Sequence, residues 1–156
     1  MPKIINLLGY LARYAAIYLL FITVFAKGAY EKLFNDVPQF FLDGWADTWA
    51  ADFPGLDLSW RLAGVLEASA AVILIISIVF LEWLPGRSKL WAKLGISTAL
   101  VFFMMLAWGQ QLIGANDGVA NLWLYFGTAL VALAVVRNDG KDDSQDATNT
   151  TDTVTA

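Results

Sequence analysis

Four stretches of this chain are apolar over the length a helix needs to cross a hydrocarbon core. They lie at about residues 10–33, 58–81, 91–113 and 119–136. A core of about 30 Å takes about 20 residues of helix. Backbone groups left unpaired in lipid are costly, so each run must close its own hydrogen bonds as a helix. A transmembrane barrel would instead show alternating segments of about 10 residues, and the sequence has none. The expected fold class is therefore all-α: an integral membrane four-helix bundle, with an extracytoplasmic amphipathic segment between helices 1 and 2. Composition agrees, with 58% hydrophobic and 15% charged residues among 156, where soluble domains carry about 25% charged.

Composition also closes off several kinds of chemistry. The chain has no cysteine and no histidine. Disulfides, thiol catalysis, cysteine-held iron–sulfur clusters and histidine-held haem or zinc are excluded, and no metal is expected. A net charge of −4 leaves no basic surface to neutralise phosphates, so nucleic acid is not a partner.

The connections have distinct characters. Pro85-Gly86 breaks the second span from the third, and Asn116-Asp117-Gly118 is a turn signal between the third and fourth. Arg87, Lys89 and Lys93 fall on the second connection, Lys3 at the N-terminus, and Arg137 and Lys141 after the last span. Basic residues collect in the cytoplasm, which predicts a multi-pass protein of the cell membrane with both termini cytoplasmic. Lys27, Lys32 and Arg61 run against that rule. Tyr14 to Ala26 also fits the apolar part of a signal peptide, but a retained first span is the preferred reading. Residues 138–156 carry five Asp and five Thr. With nothing there to build a core, a disordered acidic cytoplasmic tail is expected. Asp outnumbers Glu by eleven to three, a composition that suits a salt-adapted prokaryote.

The outer loop, 34–57, contains VPQFFLDGWADTWAADF over 37–53. Phe41, Trp45 and Trp49 recur every four residues, and Asp43 and Asp47 do so on another face. This predicts a short amphipathic helix on the outer surface or folded over the helix ends as a lid. Anchoring at the interface is the plainer role for such aromatics.

Ionisable residues within a span carry the strongest functional signal. Glu67 lies about 13 Å into the second span, close to mid-membrane. It needs a basic partner from another helix, because Arg61 is too far along its own. Depth favours Lys27, which also forms an i, i+4 pair with Glu31; a shifted register would let Arg13 reach Glu67 from below. Such a pair serves either helix packing or a ligand or proton role. Small residues around it, Gly28, Ala63, Gly64, Ala68, Ala70 and Ala71, permit close helix approach. Gln110 and Gln111, near the outer end of the third span, are further candidates, either as interfacial caps or as ligand contacts.

Two of these segments resemble a known family. Gly28-Ala29-Tyr30-Glu31-Lys32-Leu33, closing the first apolar helix, looks like the G-x-x-x-K-[LF] element of the DoxX family. Phe53-Pro54-Gly55-Leu56, followed by Arg61-Leu62-Ala63-Gly64-Val65-Leu66-Glu67, looks like that family's short loop and second-helix GxxE element. The resemblance covers roughly residues 10 to 136. The chain departs from it at Ala68-Ser69-Ala70-Ala71, where the family has glycines. The resemblance implies a small four-helix membrane protein. Some relatives are subunits linked to quinone reduction, as in thiosulfate:quinone oxidoreductase, and others belong to oxidative-stress complexes. It implies Lys32, rather than Lys27, as the companion of Glu67, and both stand as candidates. The expected function is a membrane subunit with a quinone- or lipid-linked redox role, quinone as the possible cofactor, and membrane lipids and redox subunits as partners. A scaffold protein and a small transporter or proton pathway are the alternatives.

Overall fold

The computed structural model describes residues 2–49, 51–52 and 54–154. Five helices follow one another: α1 (Pro2–Phe34), α2 (Gln39–Ala46), α3 (Leu56–Val79), α4 (Leu90–Leu112) and α5 (Asn116–Val154). Four contain segments long and apolar enough to cross a membrane, Leu7–Phe34, Leu56–Val79, Leu90–Leu112 and Asp117–Asp139. The chain is an all-α bundle of the multi-pass membrane type.

The long helices alternate in direction, and α1 packs on α3, α3 on α4 and α4 on α5. Rings from one helix fill hollows left by small residues on the next. Tyr14, Tyr18, Phe21 and Phe25 of α1 are buried against a core that includes Ala70, Ala71 and Leu74 of α3 and Ile96 and Ala99 of α4. Phe25 closes the gap between α1 and α4, its ring 5.6 Å from Phe102 and 5.4 Å from Phe103. Phe103 in turn stacks on Tyr125 of α5 at 5.8 Å. On the outside, Leu19, Val79 and Leu124 are about 70% exposed. A water-soluble bundle would turn such side chains inward, whereas in lipid an apolar outer face costs nothing.

Helix ends differ from the sequence pattern in three places. The α3–α4 break begins at Phe80, before Pro85-Gly86, because Leu81 takes a positive φ of 57° and turns the chain there. The α4–α5 turn uses Gly114, at φ 70°. Asn116-Asp117-Gly118 instead opens α5, where an acidic side chain in the first turn suits the helix dipole. Lastly, the backbone continues as helix through Val154, across the segment expected to be disordered. A span already formed extends at one hydrogen bond per added residue, without a new nucleation cost.

Candidate functional site

Two glycines set the crossing of α1 and α3. A Cβ on Gly28 would lie 2.5 Å from Glu67 Oε1, and one on Gly64 would lie 2.8 Å from Lys32 Cβ. Each glycine therefore faces a charged residue of the other helix, and the close approach delivers those two residues to each other. Lys32 Nζ stands 2.9 Å from Glu67 Oε2 and donates to Oε1 at 3.1 Å. Both side chains are withdrawn from the surface, 13% and 6% exposed.

The depth argument for Lys27 does not hold. Lys27 lies on the opposite face of α1, 77% exposed, and pairs with Glu31 at 3.2 Å. Lys32 is five residues later, which turns it by well over a quarter turn onto the α3 side. Arg13 is not the partner either; it lies 3.9 Å from Asp139 and against the Tyr10 ring. Arg61 supports the pair indirectly. Its Nη1 donates to the carbonyls of Lys32 and Leu33, both at 2.8 Å. A guanidinium there satisfies carbonyls that the end of α1 leaves open and complements the dipole of that helix.

Aromatic rings cover the pair. The Trp60 ring lies 5.0 Å from Lys32 Nζ, in cation–π range. Phe41 of α2 sits on Trp60 at 4.8 Å, and Phe40 meets it edge-on at 6.3 Å. The other side of α2 reaches the end of α4: Gly44 is close to Ile113, and Trp45 to Gly109. Thus α2 bridges the α3 and α4 ends, as a lid would. Only part of the predicted aromatic stripe takes part. The helix ends at Ala46, and Trp49 is 80% exposed. Trp60 emerges as a site residue that the spacing of the loop aromatics did not mark. Its indole N–H is buried and has no acceptor among the described residues.

The glutamines point to another part of the bundle. Gln110 lies against Gly118 at the start of α5. Gln111 borders a cavity of about 260 Å³ between α4 and α5, with Trp108, Trp123 and Phe126. A larger apolar groove of about 500 Å³ runs between α1 and α3 at the end that carries the termini. Neither space is lined by Lys32 or Glu67.

A second buried polar cluster, at the terminal end, was not legible as a site. Glu82 is 3% exposed and its carboxylate accepts from Ser77 Oγ at 2.9 Å and from the backbone N–H groups of Trp91 and Ala92 at 3.0 and 2.8 Å. It thereby caps α4 from outside the helix. Tyr18 shares a 2.7 Å hydrogen bond with Ser77. Lys89, 2% exposed, donates to the carbonyls of Glu82 and Leu84 and faces the rings of Tyr10 and Tyr14. The spacing of Tyr10, Tyr14 and Tyr18 at i, i+4, i+8 was the available signal. Ser77 of this cluster lies ten positions beyond Glu67 on α3, about 15 Å, and the core between them includes Phe21, Phe25, Ala70, Ala71, Leu74, Phe102 and Phe103.

Among the described residues no group of His, Cys, Asp or Glu is arranged to hold a metal ion. Comparisons with family models, with curated proteins and with solved structures gave no match. Fold and site together define a small multi-pass membrane protein with a buried ion pair between its first two spanning helices.

Proposed function

We propose that this chain is a DoxX-like subunit of a membrane complex in which the Lys32–Glu67 pair receives the polar head of a lipid-soluble ligand, with a quinone as the chemistry that fits best. The observation that carries the reading is a buried ammonium and carboxylate lying against the Trp60 ring, whose buried indole N–H has no acceptor among the described residues, beneath the rings of α2. A quinone carbonyl accepts hydrogen bonds, and Lys32 and Trp60 both bring donors to this part of the bundle. In that role Lys32 stabilises negative charge developing on the oxygen, and Glu67 balances the ammonium and exchanges a proton. No side chain here carries electrons, so they come from the quinone and from a partner subunit. The setting is the cell membrane, with both termini in the cytoplasm.

The test is purification in mild detergent followed by lipid extraction and mass spectrometry. The parent chain should retain a quinone, and Glu67→Gln and Trp60→Phe should lose it. Retention by both variants, or no quinone with the parent, defeats the reading.

A second reading has its own support. The carboxylate fits tightly against Gly28, and the α4–α5 cavity and the α1–α3 groove are not lined by the pair. Under that reading the pair fixes helix register in a scaffold protein, and Glu67→Gln still assembles with its partners. A proton pathway centred on Glu67 finds no comparable support, because the ring-filled layer separates it from the polar cluster at the other end.

A further inference from the structure

The groove between α1 and α3 follows from how these helices cross. They touch most closely at Gly28 and Gly64, near the α2 end. Towards the terminal end the contact is taken over by larger side chains, and the seam opens. Leu11, Ala15, Leu19 and Ile22 form one wall, and Ile78 and Trp83 the other. Leu11 and Thr23, at the ends of the α1 wall, are separated by twelve residues of helix, about 18 Å. One leaflet of a hydrocarbon core is about 15 Å deep. The groove is therefore about one leaflet long, parallel to the helices, and almost wholly apolar.

The terminal mouth of the groove has different chemistry. Trp83 stands there, where an indole suits the headgroup boundary. Arg87 follows four residues later and is exposed. The acid of the same connection, Glu82, is already committed to the α4 backbone, and Lys89 is turned inward. Thus an apolar slot about one leaflet long ends at the connection that also carries an exposed guanidinium, the group best shaped for a phosphate.

We infer that this groove holds one acyl chain of an anionic phospholipid, with its phosphate at Arg87. The inference is independent of the quinone reading, whose residues, Lys32 and Glu67, do not line this groove. It rests on the continuity of the groove with the lipid-facing surface, on its depth and on the charge at its mouth. An empty, largely apolar slot of this size would forfeit dispersion contacts along its lining.

The test uses the full chain in detergent, delipidated and then titrated with palmitoyl-oleoyl phosphatidylglycerol or phosphatidylcholine, and read by native mass spectrometry. One phosphatidylglycerol should remain bound after loosely held lipid has been stripped. Ala15→Trp fills the slot and should abolish that adduct. Leu130→Trp puts the same bulk on the exposed face of α5 and should leave the adduct unchanged, provided both variants keep the parent's melting temperature. Arg87→Gln should weaken phosphatidylglycerol by about tenfold, the loss of one charge-assisted hydrogen bond, and weaken phosphatidylcholine less, because its choline already offsets the phosphate charge. An adduct that survives Ala15→Trp overturns the inference. So does retention of an isoprenoid quinone in the groove in place of phospholipid, or an oligomer of the parent that Ala15→Trp disperses, since a second copy would then be the occupant. If Ala15→Trp unfolds, Ile22→Trp repeats the test from the other end of the wall.

Discussion

Gly28→Ala is the sharpest test of how the ion pair is held. The new methyl carbon would stand 2.5 Å from Glu67 Oε1 and 2.7 Å from Cδ and Oε2. The carboxylate would have to retreat by roughly 1 Å to reach ordinary contact, and its contacts with Lys32 at 2.9 and 3.1 Å would lengthen with it. Overpacking of this kind costs about 1–3 kcal/mol. Weakening the buried pair adds a fraction of the about 3–5 kcal/mol that complete loss of one partner brings. Alanine recovers about 1 kcal/mol over glycine in a helix interior. The expected net loss is about 2–4 kcal/mol. Gly127→Ala is the matched control: nothing lies within 4 Å of its added carbon, so it should be neutral or stabilise by up to about 1 kcal/mol. Unfolding of both variants in mixed micelles, by heat and by added denaturing detergent, reads the difference in sign. In the Glu67→Ala background the cost of Gly28→Ala should vanish, because the group it strikes is gone. If Gly28→Ala is as stable as Gly127→Ala, or if its cost persists without Glu67, the account of the crossing is refuted.

Lys32→Met should destabilise the bundle by about 3–5 kcal/mol by stranding a buried carboxylate, while Lys27→Met should change stability by less than about 0.5 kcal/mol, as an exposed i, i+4 pair does; equal melting temperatures would contradict the assignment. Glu82→Ala removes the acceptor of two α4 backbone N–H groups and of Ser77, and should cost at least the about 1–2 kcal/mol of a lost helix cap, read as faster amide exchange at Trp91 and Ala92. Gly95→Ala would bring its Cβ to 2.7 Å from Leu74 Cγ and should cost about 1–3 kcal/mol by prising α3 from α4; unchanged thermal stability would show that the two helices pack less closely.

The class of fold was legible because hydrocarbon imposes one solution on the backbone, and a run of about 20 apolar residues is enough to call for it. Glu67 was legible for the same reason: a carboxylate in that setting needs a partner wherever the other helices place one. Distance along the sequence favoured Lys27, but the partner is Lys32. The choice depended on which face of α1 meets α3, and the two glycines at the crossing decide that. The reach of Phe41 to Trp60, the exposure of Trp49 and the diversion of the glutamines to α5 likewise follow from how α2 and α4 come to rest. The Glu82 cluster was hidden because its two charged members, Glu82 and Lys89, lie in a loop whose path is set by the positive φ of Leu81. Sequence thus determined the medium, the spans and the need for a buried pair. Tertiary structure decided the partner, the cover and the groove, because these depend on the angle at which helices cross, and a crossing angle is a property of two surfaces together.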